Sequence, residues 1–229
     1  MVAFHAIYQE VLMAITQLFP HSSPDDELRL VEFGLTSEDF HVAFRPGLSR
    51  ALNRTELAPP NAAGTDLYND TFELLAQILV ARGWRKVVIT GQSRLIHPDG
   101  SLQLALSSAV GVADPDPRVK PKTRRKGPAT QRSLDDDATK ALQPLPLPEW
   151  MDEDALPTKL KDAPFWFVLY ERQGNSLDIA LGRPAGMNNA HQVITWTDGI
   201  NIARLNGDDD FAVFDGIDDG GINVPVEPR

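Results

Sequence analysis

Cysteine is absent from this chain of 229 residues. That removes disulfides, thiolate catalysis and Cys-ligated zinc or iron–sulfur centres at once. Long apolar runs are absent too: none approaches the roughly 18 residues that a membrane-spanning helix needs. The N-terminal stretch "MVAFHAIYQEVLMAITQLFP" lacks a basic n-region and a small-residue cleavage site, and Gln9 and Glu10 interrupt it, so a cytoplasmic protein is expected. No G-x-x-x-x-G-K-[ST], G-x-G-x-x-G or G-x-S-x-G occurs. The five histidines, His5, His21, His41, His97 and His191, form no pair at ligand spacing on one element. These gaps lower the expectation of a familiar enzyme. They assign no catalytic residue, cofactor or metal.

What is present is an apolar fraction of 42%, enough for a core, and a marked acidic excess. The chain carries 32 acidic and 22 basic side chains, net −10. Such a charge repels phosphate at long range, so general nucleic-acid binding is disfavoured and a basic partner is favoured. The charge is unevenly spread. Residues 1–112 carry 8 basic and 12 acidic groups, 113–147 carry 8 and 5, and 148–229 carry 6 and 15.

Periodicity gives the elements. Phe4, Ile7, Tyr8, Val11, Leu12, Ile15, Leu18 and Phe19 recur at helical spacing, ended by Pro20 and Pro24. In "ELRLVEFGLTSEDFHVAFRPG" alternate residues such as Phe40, Val42 and Phe44 predict two strands of a hairpin over 28–44, with "TSED" between them. Residues 46–64 read as a loop. A second helix follows, capped by Thr65 and closed by Gly83, with Tyr68, Phe72, Leu75, Ile78 and Leu79 inward. A hairpin over 86–106 turns at "HPDGS", where Pro, Asp and Gly are turn chemistry; His97 and Asp99 are thus turn residues before they are a catalytic pair.

From 113 to 148 seven prolines and a basic run predict a flexible linker. Beyond it, "PFWFVLYERQGNSLDIALG" predicts another hairpin, and "QVITWTDGINIAR" a shorter one about Asp198-Gly199. The chain closes on an acidic, glycine-rich tail. The reading is therefore α+β: two helices on antiparallel β-hairpins (1–112), a flexible linker (113–148) and a second small β-rich module with an acidic tail (149–229).

Three stretches invite chemical readings. Arg118 to Arg132 holds seven cations that suit phosphates, but it lacks interleaved aromatics and is broken by proline. A solvated linker is the simpler reading, and this stretch is the sole nucleic-acid candidate. Asp208, Asp209, Asp210, Asp215, Asp218 and Asp219 lack the spacing of a calcium loop, which leaves a partner-binding or solubilising tail. Trp84, Trp150, Trp166 and Trp196 suit interface anchors, and equally the core.

The order in 5–107 is helix, hairpin, loop, helix, Trp-led strand and return strand. "HAIYQEVLMAI", "VEFGLTSEDFHVAFRPG", "LYNDTFELLAQILVARGWRKVVITG" and "HPDGSLQLALS" carry it. This resembles the YezG-like immunity (antitoxin) family, small acidic α+β proteins that neutralise nuclease toxins. The resemblance covers a little under half of the chain, and nothing from Glu149 onward has a counterpart in it. It implies inhibition by binding, with no catalytic residues to carry over.

The expectation is then a non-catalytic, bacterial, immunity-like protein that binds a basic toxin or effector. Its contacts are expected from Trp196, Asp198, Asp208, Asp209, Asp210, Asp215, Asp218 and Asp219, where the negative charge lies. The rival expectations are an accessory subunit of a larger bacterial assembly, as in phage defence or secretion, and an unfamiliar metal-dependent enzyme using Asp198 and Asp208 to Asp210.

Overall fold

Pro24 followed by Asp25, Asp26 and Glu27 is a helix start, because proline suits the first helical position and carboxylates favour the positive end of the helix dipole. The computed structural model describes residues 24–116, 118–134 and 163–207. The helix expected over 4–19 lies outside them. Helix α1 runs Pro24–Glu32. It is closed by Gly34 at φ +66°, a left-handed conformation that side-chain-bearing residues seldom adopt. Gly34 N–H donates to Val31 O at 2.9 Å and Leu35 N–H to Leu30 O at 3.0 Å.

Thr36 then caps α2 (Ser37–Leu52): its side chain accepts from Asp39 N–H, and the Asp39 carboxylate accepts from Thr36 N–H at 2.9 Å. The hairpin expected over 28–44 is thus a pair of helices. Burial shows which period governs. Phe40, Ala43, Phe44, Gly47, Leu48 and Ala51 are buried at spacings of three and four, while Val42, which completed the alternation, is 43% exposed. The loop expected from 46 is helical through Leu52, with Pro46 on the exposed side of α2. At Gly47 a Cβ would stand 3.1 Å from Leu67 Cα, so the missing side chain lets α2 and α3 approach closely. Helix α3 (Ala62–Val80) starts ahead of Thr65, the expected cap, and buries Leu67, Phe72, Leu75 and Leu79. Trp84 N–H donates to Leu79 O at 3.1 Å across Gly83.

The stretch from 85 to 110 makes three strands where the sequence reading expects two: β1 (Arg85–Ile89), β2 (Gln92–Ile96) and β3 (Gln103–Val110). Thr90 and Gly91 both take positive φ and join Ile89 to its partner Gln92 by a two-residue turn. "HPDGS" is the next turn, as expected. Gly100 N–H donates to His97 O at 3.0 Å, and Ser101 N–H to the Asp99 carboxylate at 2.7 Å.

The remaining elements are β4 (Lys122–Thr123), α4 (Pro128–Leu134), β5 (Phe165–Gln173), β6 (Ser176–Met187) and β7 (Val193–Asn206). The seven-stranded sheet has the order β1-β2-β3-β5-β6-β7, with β4 on β3. β3 and β5 are parallel, from Gln103 beside Phe165 to Ser108 beside Tyr170. Residues 163–207 therefore extend the sheet begun at 85, and among the described residues there is no separate second module such as the sequence reading expects. The hairpin expected about Asp198-Gly199 is likewise one continuous strand, β7. Among the described residues no helix is long and apolar enough to cross a membrane.

Alternation along the strands divides the core. One face carries Leu104, Leu106, Trp166, Val168, Ile179, Leu181, Ile200 and Ile202 against Phe40, Phe44, Leu75 and Leu79 of the helices. The other carries Ala105, Ala109, Phe165, Phe167, Leu169, Ala180 and Trp196. The described part of the expected linker lies on this second face. Trp196 Nε1 donates to Pro121 O at 2.8 Å, Val193 N–H to Thr123 Oγ1 at 3.0 Å and Lys126 N–H to His191 O at 2.8 Å. These bonds make residues 118–134 a strap rather than a free tether.

Two predictions test this frame. A Cβ at Gly182 would meet Trp196 ring carbons at 2.8 Å and Leu169 Cδ1 at 2.9 Å. Gly182→Ala is expected to cost about 1–3 kcal/mol in urea unfolding, and an unchanged midpoint would contradict the packing. The second concerns Asp39, which is buried and takes both Arg82 nitrogens, at 2.5 and 2.8 Å. Burial pushes its pKa up, but Arg82 and Thr36 more than offset this and hold it below the usual value. A depressed carboxylate stabilises the fold above about pH 4 and loses that contribution as pH falls through its folded pKa. Asp39→Asn is expected to lose about 1–3 kcal/mol at neutral pH and to flatten the acid limb of stability. An acid limb identical to that of the parent would count against it.

Candidate functional site

The two described residues of the expected partner-binding set do not sit together. Pro184 pairs with Trp196 and Arg183 with Asp198, so β7 carries one extra residue at this point. A bulge of this kind reverses the alternation. Asp198 meets the helices: Arg29 Nη2 donates to its carboxylate at 2.7 Å, and Arg29 Nη1 to Gly199 O at 2.7 Å. Trp196 lies on the strap face, 5% exposed, with its ring edge-on to Phe167 at 6.4 Å. Asp208, Asp209, Asp210, Asp215, Asp218 and Asp219 lie outside the described residues. So does Trp150, whereas Trp84 and Trp166 are buried.

The carboxylates described in 163–207 all have internal partners. Glu171 accepts from Gly111 and Val112 N–H at 2.7 and 3.0 Å. Asp178, 5% exposed, takes Arg204 at 2.7 and 2.8 Å. Asp198 takes Arg29. At the "HPDGS" turn, hydrogen bonding from Ser101, and then from His97, lowers the Asp99 pKa to about 2. The His97 ring stands edge-on to Trp84 at 4.9 Å. These contacts hold a turn. Among the described residues no group of three or more His, Asp or Glu is placed to hold a metal ion.

The polar groups that sequence reasoning missed lie under the strap. Arg94 is 1% exposed. Its guanidinium donates to Gln92 Oε1 at 3.0 Å, Gln103 Oε1 at 2.9 Å, Ala129 O at 3.1 Å and Ser133 Oγ at 2.8 Å, and lies 4.2 Å from the Phe165 ring centre. It pins α4 to β2 and β3. The only hint in the sequence is a lone arginine beside the apolar pair Leu95 and Ile96 in "QSRLI".

Lys126 is the second such group. Its Nζ donates to Ser107 Oγ and lies 5.2 Å from the Phe167 ring centre. Burial, then the nearby charge of Arg124, lowers its pKa to about 8. An amine poised near neutrality beside a hydroxyl is a general-base arrangement in form. Ser107, however, is 2% exposed, so the pair serves to dock the strap rather than to meet a substrate.

Outward from this pair the surface opens. Arg125, Lys126, Gly127, Pro128, Gln131 and His191 line a depression of about 440 Å³. It adjoins a second of about 410 Å³, lined by Gln131, Leu134, His191, the end of β6 (Ala185, Gly186 and Met187) and Asn188 and Asn189 of the following connection. None of the described lining residues is Asp or Glu.

No family model, no curated protein and no solved structure matches this chain.

The Lys126 environment predicts a pH dependence. The unfolded lysine titrates near 10.4, and the folded one at about 8. Between these values the unfolded chain binds more protons, so stability rises with pH from about 8 to 10. Above about 10 the rise is opposed, because burial pushes the Tyr170 pKa up to about 12. Lys126→Met is expected to abolish the rise in urea midpoints across that window. A rise of equal size in the variant would refute the assignment.

Proposed function

We propose that the chain is a non-catalytic protein-binding module, an immunity-like protein of the cytoplasm that neutralises a basic toxin or effector by forming a complex with it. The observation that carries this reading is how the negative charge is distributed along the chain. Residues 163–207 hold three acidic and three basic side chains, and each of those acids is bound internally. From Asp208 onward there are seven acidic residues against one basic. That run starts directly after β7, whose outer edge is occupied at two points: Gly199 O accepts from Arg29, and Ala203 O is 2.7 Å from His41 Nε2. Strand addition along β7 is therefore hindered, which favours recognition by charge. An acidic run facing a cationic protein raises the association rate and fixes the partner's sign.

A second reading, an accessory subunit of a larger bacterial assembly, draws on α1. Leu28 and Val31, one helical turn apart, are 65% and 57% exposed, a small apolar face suited to a protein neighbour.

The test is to capture partners of the tagged full-length protein from its native cells, then measure affinity for the captured protein with and without residues 208–229. One basic partner is expected, whose binding weakens with salt. Truncation is expected to weaken it by about tenfold or more and to flatten the salt dependence. Unchanged affinity and salt dependence would sink the charge-based reading. Several partners in fixed ratio, lost on Leu28→Ser/Val31→Ser, would favour the subunit.

A further inference from the structure

We propose that the outer edge of β1 receives an extended acidic segment of another protein as a further strand, one in which acidic and apolar residues alternate.

The sheet ends on β1 at one side and β7 at the other. On β7, Arg29 and His41 engage Gly199 O and Ala203 O. Among the described residues β1 pairs with β2 alone. The turn at Thr90 and Gly91 sets which backbone groups of β1 face outward. Both residues take positive φ, the tight form of turn in which the flanking pair, here Ile89 and Gln92, exchanges two hydrogen bonds. Bonded and non-bonded pairs alternate along an antiparallel ladder. Arg85, Val87 and Ile89 therefore turn their N–H and C=O toward β2, and Lys86 and Val88 turn theirs outward. Neither Lys86 nor Val88 has a further backbone partner among the described residues. Two donors and two acceptors thus stand in a row, in the geometry that strand addition uses.

Side chains select the occupant. Neither β1, "RKVVI", nor β2, "QSRLI", contains a carboxylate. Arg85 and Lys86 are exposed, and neither is in an ion pair among the described residues. Lys86 lies on the helical face of the sheet, its Nζ 5.5 Å from the Phe72 ring centre. Opposite charges stabilise neighbouring strands and like charges destabilise them. A second copy of β1 would add two cations to two and gain no opposite charge, whereas an acidic strand gains both. On the strap face Val87 is buried and Ile89 packs beside it, in a cluster with Ile96 and Ala163. An incoming apolar side chain extends that cluster while an acidic one meets Lys86 on the other face. Successive residues of a strand point to opposite faces, so the fitting segment alternates.

The test titrates the full chain with a capped hexapeptide of alternating glutamate and valine, read by calorimetry. One control peptide has the same composition in two blocks. Another is N-methylated on every amide, which keeps the charge and removes the donors. Saturable binding of the alternating peptide is expected, with both controls weaker by about tenfold. Lys86→Glu should weaken it by about tenfold. Val88→Pro removes one outward donor, leaves the β1–β2 ladder intact, and should weaken it by as much. Arg118→Gln, on the strap and 86% exposed, should leave it unchanged. Thermal unfolding of each variant without peptide shows whether it is folded. The proposal fails if the alternating peptide does not bind at millimolar concentration, if the N-methylated copy binds as tightly, or if Lys86→Glu binds like the parent. It fails equally if the chain forms a dimer that Val88→Pro abolishes, since the edge then belongs to a second copy. Residues 208–229 are unchanged in these variants, so the outcome is independent of the partner-capture result.

Discussion

The parallel ladder between β3 and β5 is the constraint on which the rest of the molecule depends. It lies at the centre of the sheet, and every residue from Phe165 to Tyr170 is buried. This parallel pair is covered on both faces, and the polar residues on the strap side of β3, Gln103 and Ser107, are buried with partners there. α2 and α3 cover one face with Phe40, Phe44, Leu75 and Leu79. The chain between β3 and β5 supplies cover for the other, since parallel neighbours cannot be joined by a tight turn. The basic, proline-rich stretch therefore owes its place to topology. Prolines cost little there, because the strap needs few ladder bonds of its own and offers carbonyls such as Pro121 O to the sheet.

Covering an apolar face with a basic segment brings cations near a dry interior, and two solutions are visible. Arg94, on β2 beneath the strap, donates to four neutral oxygens and has an aromatic ring beneath it. Its charge is fixed in any case, because guanidinium does not give up its proton in proteins. Lys126 has a single hydroxyl partner and a ring, fewer bonds than an ammonium can make, and its affinity for the proton falls instead. The same strap thus holds one cation by saturation and the other by lowering its pKa, and turns Arg125 outward.

Local chemistry was legible in the sequence and long-range pairing was not. The α3 stripe, the "HPDGS" turn and the β5–β6 hairpin follow from spacing and turn residues, and each is present. The stretch over 28–44 was ambiguous because Phe40 and Phe44 satisfy both a period of two and one of about 3.6. Thr36 and Asp39 of "TSED" are a helix cap that resolved it, and reading them as a turn hid two helices. The order implied by the YezG-like resemblance departs from the structure at that same place. Asp198-Gly199 misled in another way: both residues pair regularly with β6, Asp198 with Arg183 and Gly199 with Gly182, and Arg29, from an element 169 residues away, bonds to both. The β3–β5 pairing, the strap and the Ser107–Lys126–His191 neighbourhood unite distant segments without any shared period, so no window of sequence contains them.

Charge is what links the two surfaces of the molecule. The described part of the strap, residues 118–134, carries cations and no carboxylate in a chain of net −10. Conversely, a partner drawn by the acidic run, as proposed, would find no backbone opening at Gly199 or Ala203 of β7, because Arg29 and His41 occupy both carbonyls. The edge that would permit indiscriminate strand pairing is obstructed at these two points by the residues that fasten α1 and α2 to the sheet. On the proposed reading, recognition would then pass through side chains, whose charge sign would select the partner, and the helical layer would serve specificity as well as stability.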